Sequence, residues 1–199
     1  MSVRIRLAQE TDAGALAVIY RPIVETTAIS FETTAPDAGD MAHRIVEALQ
    51  SLPWLVCEID DRIAGYAYAS RHRLRAAYRW SVDVSICIDS AFRRRGVGRG
   101  LYESLFAVLA AQGLVNAFAG IVLPNPASVR LHESLGFTPV GVYRGVGYKF
   151  GQWHDVAWWQ RPLGNPSANP PEPRAIGDLV RQSGWDALVS SGQSHIREE

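Results

Sequence analysis

Hydrophobic and polar positions alternate at the start of the chain, where Val3, Ile5 and Leu7 predict a short strand. Beyond Thr11 or Asp12, either suited to an N-cap, Ala15, Leu16, Ile19 and Tyr20 recur at helical spacing and predict a helix to about residue 22. Residues 25–34, ETTAISFETT, lose that period and read as a loop or short helical turn. Met41, Ile45, Val46 and Leu49 restore it, predicting a helix from Asp37 to about Gln50. WLVCEI (54–59) and IAGYAYAS (63–70) read as strands joined by a hairpin at Asp60-Asp61-Arg62. In SVDVSICI (81–88) the alternation is strict. Val82, Val84, Ile86 and Ile88 share one face, and Asp83, Ser85 and Cys87 the other.

The clearest helix is 97–112, with Val97, Leu101, Leu105, Val108 and Leu109 on one face and Gly113 at its C′ position. A buried strand at 115–123 follows, then a helix from Pro126 to Leu135 ended by Gly136, and two strands at 138–148 and 153–161. Past Leu163 the texture changes. GNPSANPPEP reads as an extended linker, and 175–190 as a short amphipathic helix through Ile176, Leu179, Val180 and Leu188. The element order fits a single α/β or α+β domain over 1–163, with 164–199 as a Pro-rich linker and tail.

Composition narrows the classes. At 47% hydrophobic and 20% charged, the chain is too apolar for disorder. No apolar run reaches the roughly 18–20 residues of a membrane span, and MSVRIRLAQE carries no apolar stretch of a signal peptide. Two cysteines make no disulfide framework, so a cytoplasmic, reducing location is expected. No His/Cys spacing suggests a metal site. Net charge is zero and no groove-reading motif is present, which argues against a nucleic-acid binder. That balance is uneven along the chain: residues 71–99 hold eight Arg against Asp83 and Asp89, a local excess of +6.

The sharpest chemical signal lies in that segment. RRRGVGRGL (93–101) sits between a strand and a helix, where Gly96 and Gly98 allow a tight turn and close backbone approach. The helix start aims unpaired N–H groups and a positive dipole end at the same place, which suits a phosphate or pyrophosphate. The turn fits neither GxxxxGK[ST] nor GxGxxG; it fits [Q/R]-x-x-G-x-[G/A]. NPASVRLHESLGF (125–137) follows, with Asn125 at a strand–helix junction and His132 seven positions on.

In order and spacing the two motifs resemble the GNAT N-acetyltransferase superfamily. ETTAISFET, PWLVCEIDDRIAGYAYAS, RLRAAYRW and KFGQWHDVAWWQ are similar to its phosphinothricin and methionine sulfone/sulfoximine acetyltransferase branch. The resemblance runs from about residue 4 to 163. It implies a central, mostly antiparallel mixed sheet flanked by helices, with splayed strands holding acetyl-CoA, no metal, a homodimer and a small amine acceptor. Ile86, Cys87 and Ile88 would pair with pantetheine. Arg93, Arg94, Arg95, Gly96, Val97, Gly98 and Arg99 would form the pyrophosphate turn, and Asn125 would touch the cofactor.

Deprotonating the acceptor amine needs a base, because an α-amine has an ordinary pKa of roughly 8. Where the family carries Glu, this chain has Asp83, whose carboxylate falls about 1.2–1.5 Å short. A bridging water would cover the gap. His132 stands where many relatives place a Tyr that protonates the departing thiolate. Arg75 and Tyr78 match positions for the substrate's acidic end, with Phe31 as a wall, Glu25 nearby and Arg73 at the rim. Cys87 has no evident His partner, so direct transfer is expected over an acetyl-enzyme. Alternatives are another amine, such as a polyamine or protein N-terminus, or a non-catalytic acyl-CoA-binding module. Arg75 and Tyr78 disfavour polyamines.

Overall fold

A computed structural model describes residues 2–197. Among these, seven strands form one sheet: β1 (Val3–Leu7), β2 (Trp54–Ile59), β3 (Arg62–Arg71), β4 (Ser81–Ile88), β5 (Asn116–Val122), β6 (Thr138–Lys149) and β7 (Gln152–Pro162). Their order is β1-β2-β3-β4-β5-β7-β6, antiparallel throughout except for β4 beside β5. The helices are α1 (Ala13–Thr26), α2 (Ala38–Leu49), α3 (Val97–Ala111), α4 (Pro126–Ser134) and two short ones in the tail, α5 (Ile176–Val180) and α6 (Trp185–Val189).

The alternation in β4 separates two apolar layers. Val82 and Val84 pack with Leu101, Leu105 and Leu109 of α3, whereas Cys87 packs with Leu16, Met41 and Ile45 of α1 and α2. Each fully buried Leu of α3 stabilises the fold by about 1.5–3 kcal/mol relative to exposure. The β2–β3 hairpin turns through Asp60 and Asp61 at φ 48° and 61°, left-handed values that Asp tolerates better than most residues.

Two elements depart from the sequence expectations. Helix α1 continues through Pro22 to Thr26, so residues 25 and 26 are helical. The carbonyl that Pro22 leaves without a donor belongs to Val18, an exposed residue, so the usual penalty is small. Thr26 and Thr27 close the end by donating their hydroxyls to the Pro22 and Ile23 carbonyls at 2.6 and 2.5 Å. In the tail, two short helices replace the single one expected. Ile176 and Leu179 bury against Val108 of α3, and Val189 and Ile196 join the core beneath it. The proline-rich stretch is anchored as well: Trp80 Nε1 donates to the Pro171 carbonyl at 2.8 Å, and the Arg174 N–H to that of Gln112 at 2.8 Å.

Candidate active site

Strands β4 and β5 pair only at Ser81–Asn116, Val82–Ala117 and Asp83–Phe118, then diverge. Past the fork, the β5-facing edge of β4 has lost its ladder partner, leaving backbone polar groups for a ligand. A cleft of about 250 Å³ opens there, between Ser85, Ile86 and Cys87 on one wall and Ala119–Val122 on the other. Tyr102, Asn125, Ser128 and His132 line it too. Ile88, two residues beyond Ile86, ends the strand.

Asp83 stands at the last paired position, on the side of β4 that carries Ser85 and Cys87. Its Oδ1 lies 2.6 Å from Nδ1 of His72. The imidazole lies flat on Phe118, with centroids 4.3 Å apart, and meets Trp158 and Tyr78 edge-on at 6.0 Å each. A carboxylate only accepts, so Nδ1 carries the proton. Nε2, without a hydrogen-bond partner among the described residues, is then the basic nitrogen. Burial raises the Asp83 carboxyl above its ordinary value, against the opposing hydrogen bond and charge of His72 and the charge of Arg73.

His72 was not among the candidate residues read from the sequence. Antiparallel register pairs Ser70 with Asp83 and Arg71 with Val82, which returns residue 72 to the fork eleven positions before Asp83. Counting back across the turn was the signal available.

Arg94 (φ 64°) and Gly96 (φ 82°) set the turn before α3, and Gly96 is its N-cap. The N–H groups of Val97, Gly98 and Arg99 have no partner among the described residues. Val97 is a core side chain, so only its backbone faces the turn. A Cβ on Gly98 would meet Leu131 at 3.3 Å and Ile86 at 3.7 Å, which puts that residue on the cleft side of the helix. Arg93 ends the short turn before this loop, Arg95 lies over the Phe92 ring, and Arg99 reaches the Ser134 carbonyl at 3.1 Å.

Asn125 caps α4, its Oδ1 accepting from the Ser128 N–H at 3.2 Å. His132 is buried, with Nδ1 donating to the Ser128 carbonyl at 2.8 Å and Nε2 3.1 Å from the Tyr102 hydroxyl. Burial lowers its pKa, favouring the neutral ring. That tautomer has no proton on Nε2. The residue lies at the cleft, but this arrangement does not offer a proton to a thiolate. Cys87 points into the α1–α2 layer, where burial pushes its thiol up to about 11 despite a hydrogen bond with Tyr66. Such a thiol stays protonated, which disfavours an acetyl-enzyme.

Of the acceptor-side candidates, Arg73 and Tyr78 lie at the Asp83–His72 pair: Arg73 donates to the His72 carbonyl at 2.8 Å and stacks over Trp158. Arg75 lines an adjacent cavity of about 400 Å³ with Arg71, Arg79 and Arg174. Phe31 rests on Gly147 and beside His154, and Glu25 is exposed on the last turn of α1. Among the described residues, no group of three His, Cys, Asp or Glu side chains is placed to hold a metal ion.

Residues 5–158 match the family described as Acetyltransferase (GNAT) domain. The chain belongs to the GNAT acetyltransferase family. It is 39% identical over 171 residues to phosphinothricin N-acetyltransferase of Streptomyces viridochromogenes, covering 86% of this chain and 92% of that one. It is 33% identical over 165 residues to the L-methionine sulfoximine/L-methionine sulfone acetyltransferase of Salmonella typhimurium, covering 82% and 96%. A solved GNAT superfamily phosphinothricin acetyltransferase from Sinorhizobium meliloti, in complex with AcCoA, matches with a TM-score of 0.81 at 35% identity, over 86% of this chain and 95% of that one. In this GNAT chain the β4–β5 fork and the turn before α3 lie within the matched residues, as does the mixed seven-stranded sheet apart from the start of β1 and the end of β7. No helix among the described residues is long and apolar enough to cross a membrane.

Proposed function

We propose that the protein moves the acetyl group of acetyl-CoA to the α-amine of a small, acidic, amino-acid-like compound of the phosphinothricin, methionine sulfone or methionine sulfoximine type. The observation that carries this reading is the Asp83–His72 pair at the fork where the cleft meets the acceptor side of the sheet. The residues suit the cofactor: unpaired N–H groups and arginines at the start of α3 for pyrophosphate, and an unladdered β4 edge with Asn125 for the pantetheine arm. Bound acetyl-CoA supplies an activated thioester.

His72 extends the reach of the shorter Asp83 side chain and takes the place of the bridging water. Nε2 accepts a proton from the acceptor's ammonium, and Asp83 stabilises the imidazolium that results. The freed amine forms the C–N bond as the C–S bond breaks, and the second proton of the attacking nitrogen passes through solvent to the departing thiolate, giving the neutral amide and the free CoA thiol. Arg73 at the rim and Tyr78 bind the acceptor's carboxylate end, Arg75 draws anions to the mouth, and Phe31 is a wall with Glu25 nearby. His132 holds Tyr102 in the cleft.

The protein works in the cytoplasm, where Cys57 and Cys87 remain free thiols. It pairs as a homodimer through the β6–β7 hairpin, whose Val140, Tyr143, Val146, Tyr148 and Trp153 are exposed. Thiol release from acetyl-CoA, measured over a panel of amino acids, their analogues, polyamines and peptides, tests the activity. Turnover is expected with the acidic amino-acid analogues; tight CoA binding with no turnover of any amine would reject it.

A further inference from the structure

The family match ends at residue 158, yet residues 192–197 return to the turn before α3. Gly192 and Gly100 meet backbone to backbone: a Cβ on Gly100 would lie 2.8 Å from the Gly192 carbonyl oxygen, and one on Gly192 would overlap the Gly100 carbonyl. A Cβ on Gly96 would overlap the carbonyl of His195. The Gly192 N–H donates to Ser104 Oγ at 3.0 Å, and Gln193 Nε2 to the Val3 carbonyl at 2.5 Å. At the turn itself, the Arg197 N–H donates to the Arg95 carbonyl at 2.9 Å, and Arg95 Nε reaches back to the Arg197 carbonyl at 3.4 Å. Ile196 closes the contact from within the core.

These contacts have a direction. Among the described residues, the tail takes the Arg95 acceptor and none of the Val97, Gly98 or Arg99 N–H donors. Gly96 and Gly100 face the tail, whereas Gly98 faces Leu131 and Ile86. Residues two apart on a helix differ by about 200°, so the tail grips one side of the first turn and leaves the cleft side open.

We propose that residues 192–197 are a clasp that positions the pyrophosphate turn, so that cofactor affinity depends on a segment outside the matched domain. This rests on the reading of the α3 start as the pyrophosphate site. The clasp holds Arg95 and Gly96 from behind, fixing the left-handed N-cap and the aim of the three unpaired N–H groups. Placing these donors beforehand removes an ordering cost from cofactor binding. Gly100 and Gly192 are the positions where a side chain would force the two backbones apart.

Gly192→Ala is the sharpest variant. The native φ of Gly192 is −89°, which Ala adopts freely, so the added methyl acts only on the Gly100 contact. A second variant ends the chain at Ser191. CoA affinity is read by calorimetry, and kcat/KM is compared for acetyl-CoA and S-acetylpantetheine, a thioester without pyrophosphate. The expected result in Gly192→Ala is CoA binding weakened by about tenfold, with S-acetylpantetheine turnover and acceptor KM unchanged. Unchanged CoA affinity in both variants would overturn the clasp. So would an equal loss with both thioesters, since that marks a general loss of structure. If the unaltered protein binds CoA but acetylates no amine, the functional reading fails while the calorimetry still decides the clasp.

Discussion

Replacing His72 with Phe separates the two halves of the proposed proton acceptor while keeping a flat ring on Phe118. The native rings stack at 4.3 Å and 17°, and Phe fills nearly the same space. What disappears is the 2.6 Å bond to Asp83 and the Nε2 lone pair. Burial already raises the Asp83 carboxyl, and the His72 hydrogen bond is the largest influence opposing it. Without the imidazole the carboxyl therefore rises further. Any activity that remains in His72→Phe depends on this raised carboxyl alone, so the acidic limb of kcat/KM should no longer lie where the dyad places it in the unaltered protein. The sign follows from the role: a base acts deprotonated, so a higher carboxyl pKa costs activity at low pH and spares it at high pH.

Loss of Nε2 acts separately, on the high-pH plateau. Removing a general base typically costs about 10²–10⁴-fold, so kcat should fall within that range in His72→Phe. Asp83→Asn should lose a comparable factor, because the amide neither fixes the Nδ1–H tautomer by charge nor stabilises the imidazolium. The assay is thiol release at saturating acceptor across the pH range in which both variants stay folded. A His72→Phe enzyme with limb and plateau both unmoved would refute the dyad. A shifted limb with an unaltered plateau would return the proton transfer to Asp83 alone.

Two further substitutions probe the acceptor side. Lys149, the chain's single Lys, donates from a buried ammonium to the Val24 carbonyl at 2.6 Å and the Ser30 carbonyl at 2.7 Å, tying the last turn of α1 and the segment after it to the β6–β7 hairpin. Lys149→Met keeps the apolar stem and leaves both carbonyls unpaired, at a cost of about 2 kcal/mol. Thermal melts should show Tm lowered by about 4–8 °C, and an unchanged Tm would refute the tie. Gly147→Ala places a methyl where the Phe31 ring lies, and Phe31 is 37% exposed, so the ring swings outward. Acceptor KM should rise by about tenfold with acetyl-CoA KM constant; a constant acceptor KM would remove Phe31 from the pocket wall.

Legibility in the sequence followed the range of the forces involved. The alternation of SVDVSICI was readable because β4 divides two apolar layers, so each neighbouring pair of residues reports a different side. The glycine-rich turn was readable because its requirements are local: a left-handed N-cap at Gly96 and little bulk at Gly98. Helix α1 overran its expected end because the Pro22 penalty depends on where the orphaned carbonyl points, which is set by packing. His72 was not among the sequence candidates for a similar reason. Its partner is chosen by strand register and its posture by Phe118 and Trp158, from two other strands.

The arginine excess of residues 71–99 shows the same limit most clearly. As a count it is one basic stretch, but the fold sends it to two places. Arg71, Arg73, Arg75 and Arg79 gather beside the Asp83–His72 pair and the adjoining cavity, whereas Arg93, Arg94, Arg95 and Arg99 belong to the turn and first helical turn of α3. In the proposed reaction Arg73 of the first group meets an acceptor carboxylate, while Arg79 is paired with Glu172, and the second group meets a pyrophosphate. The paired strands β3 and β4 keep those anions apart, so one run of charge serves two ligands whose mutual repulsion would otherwise oppose their binding together.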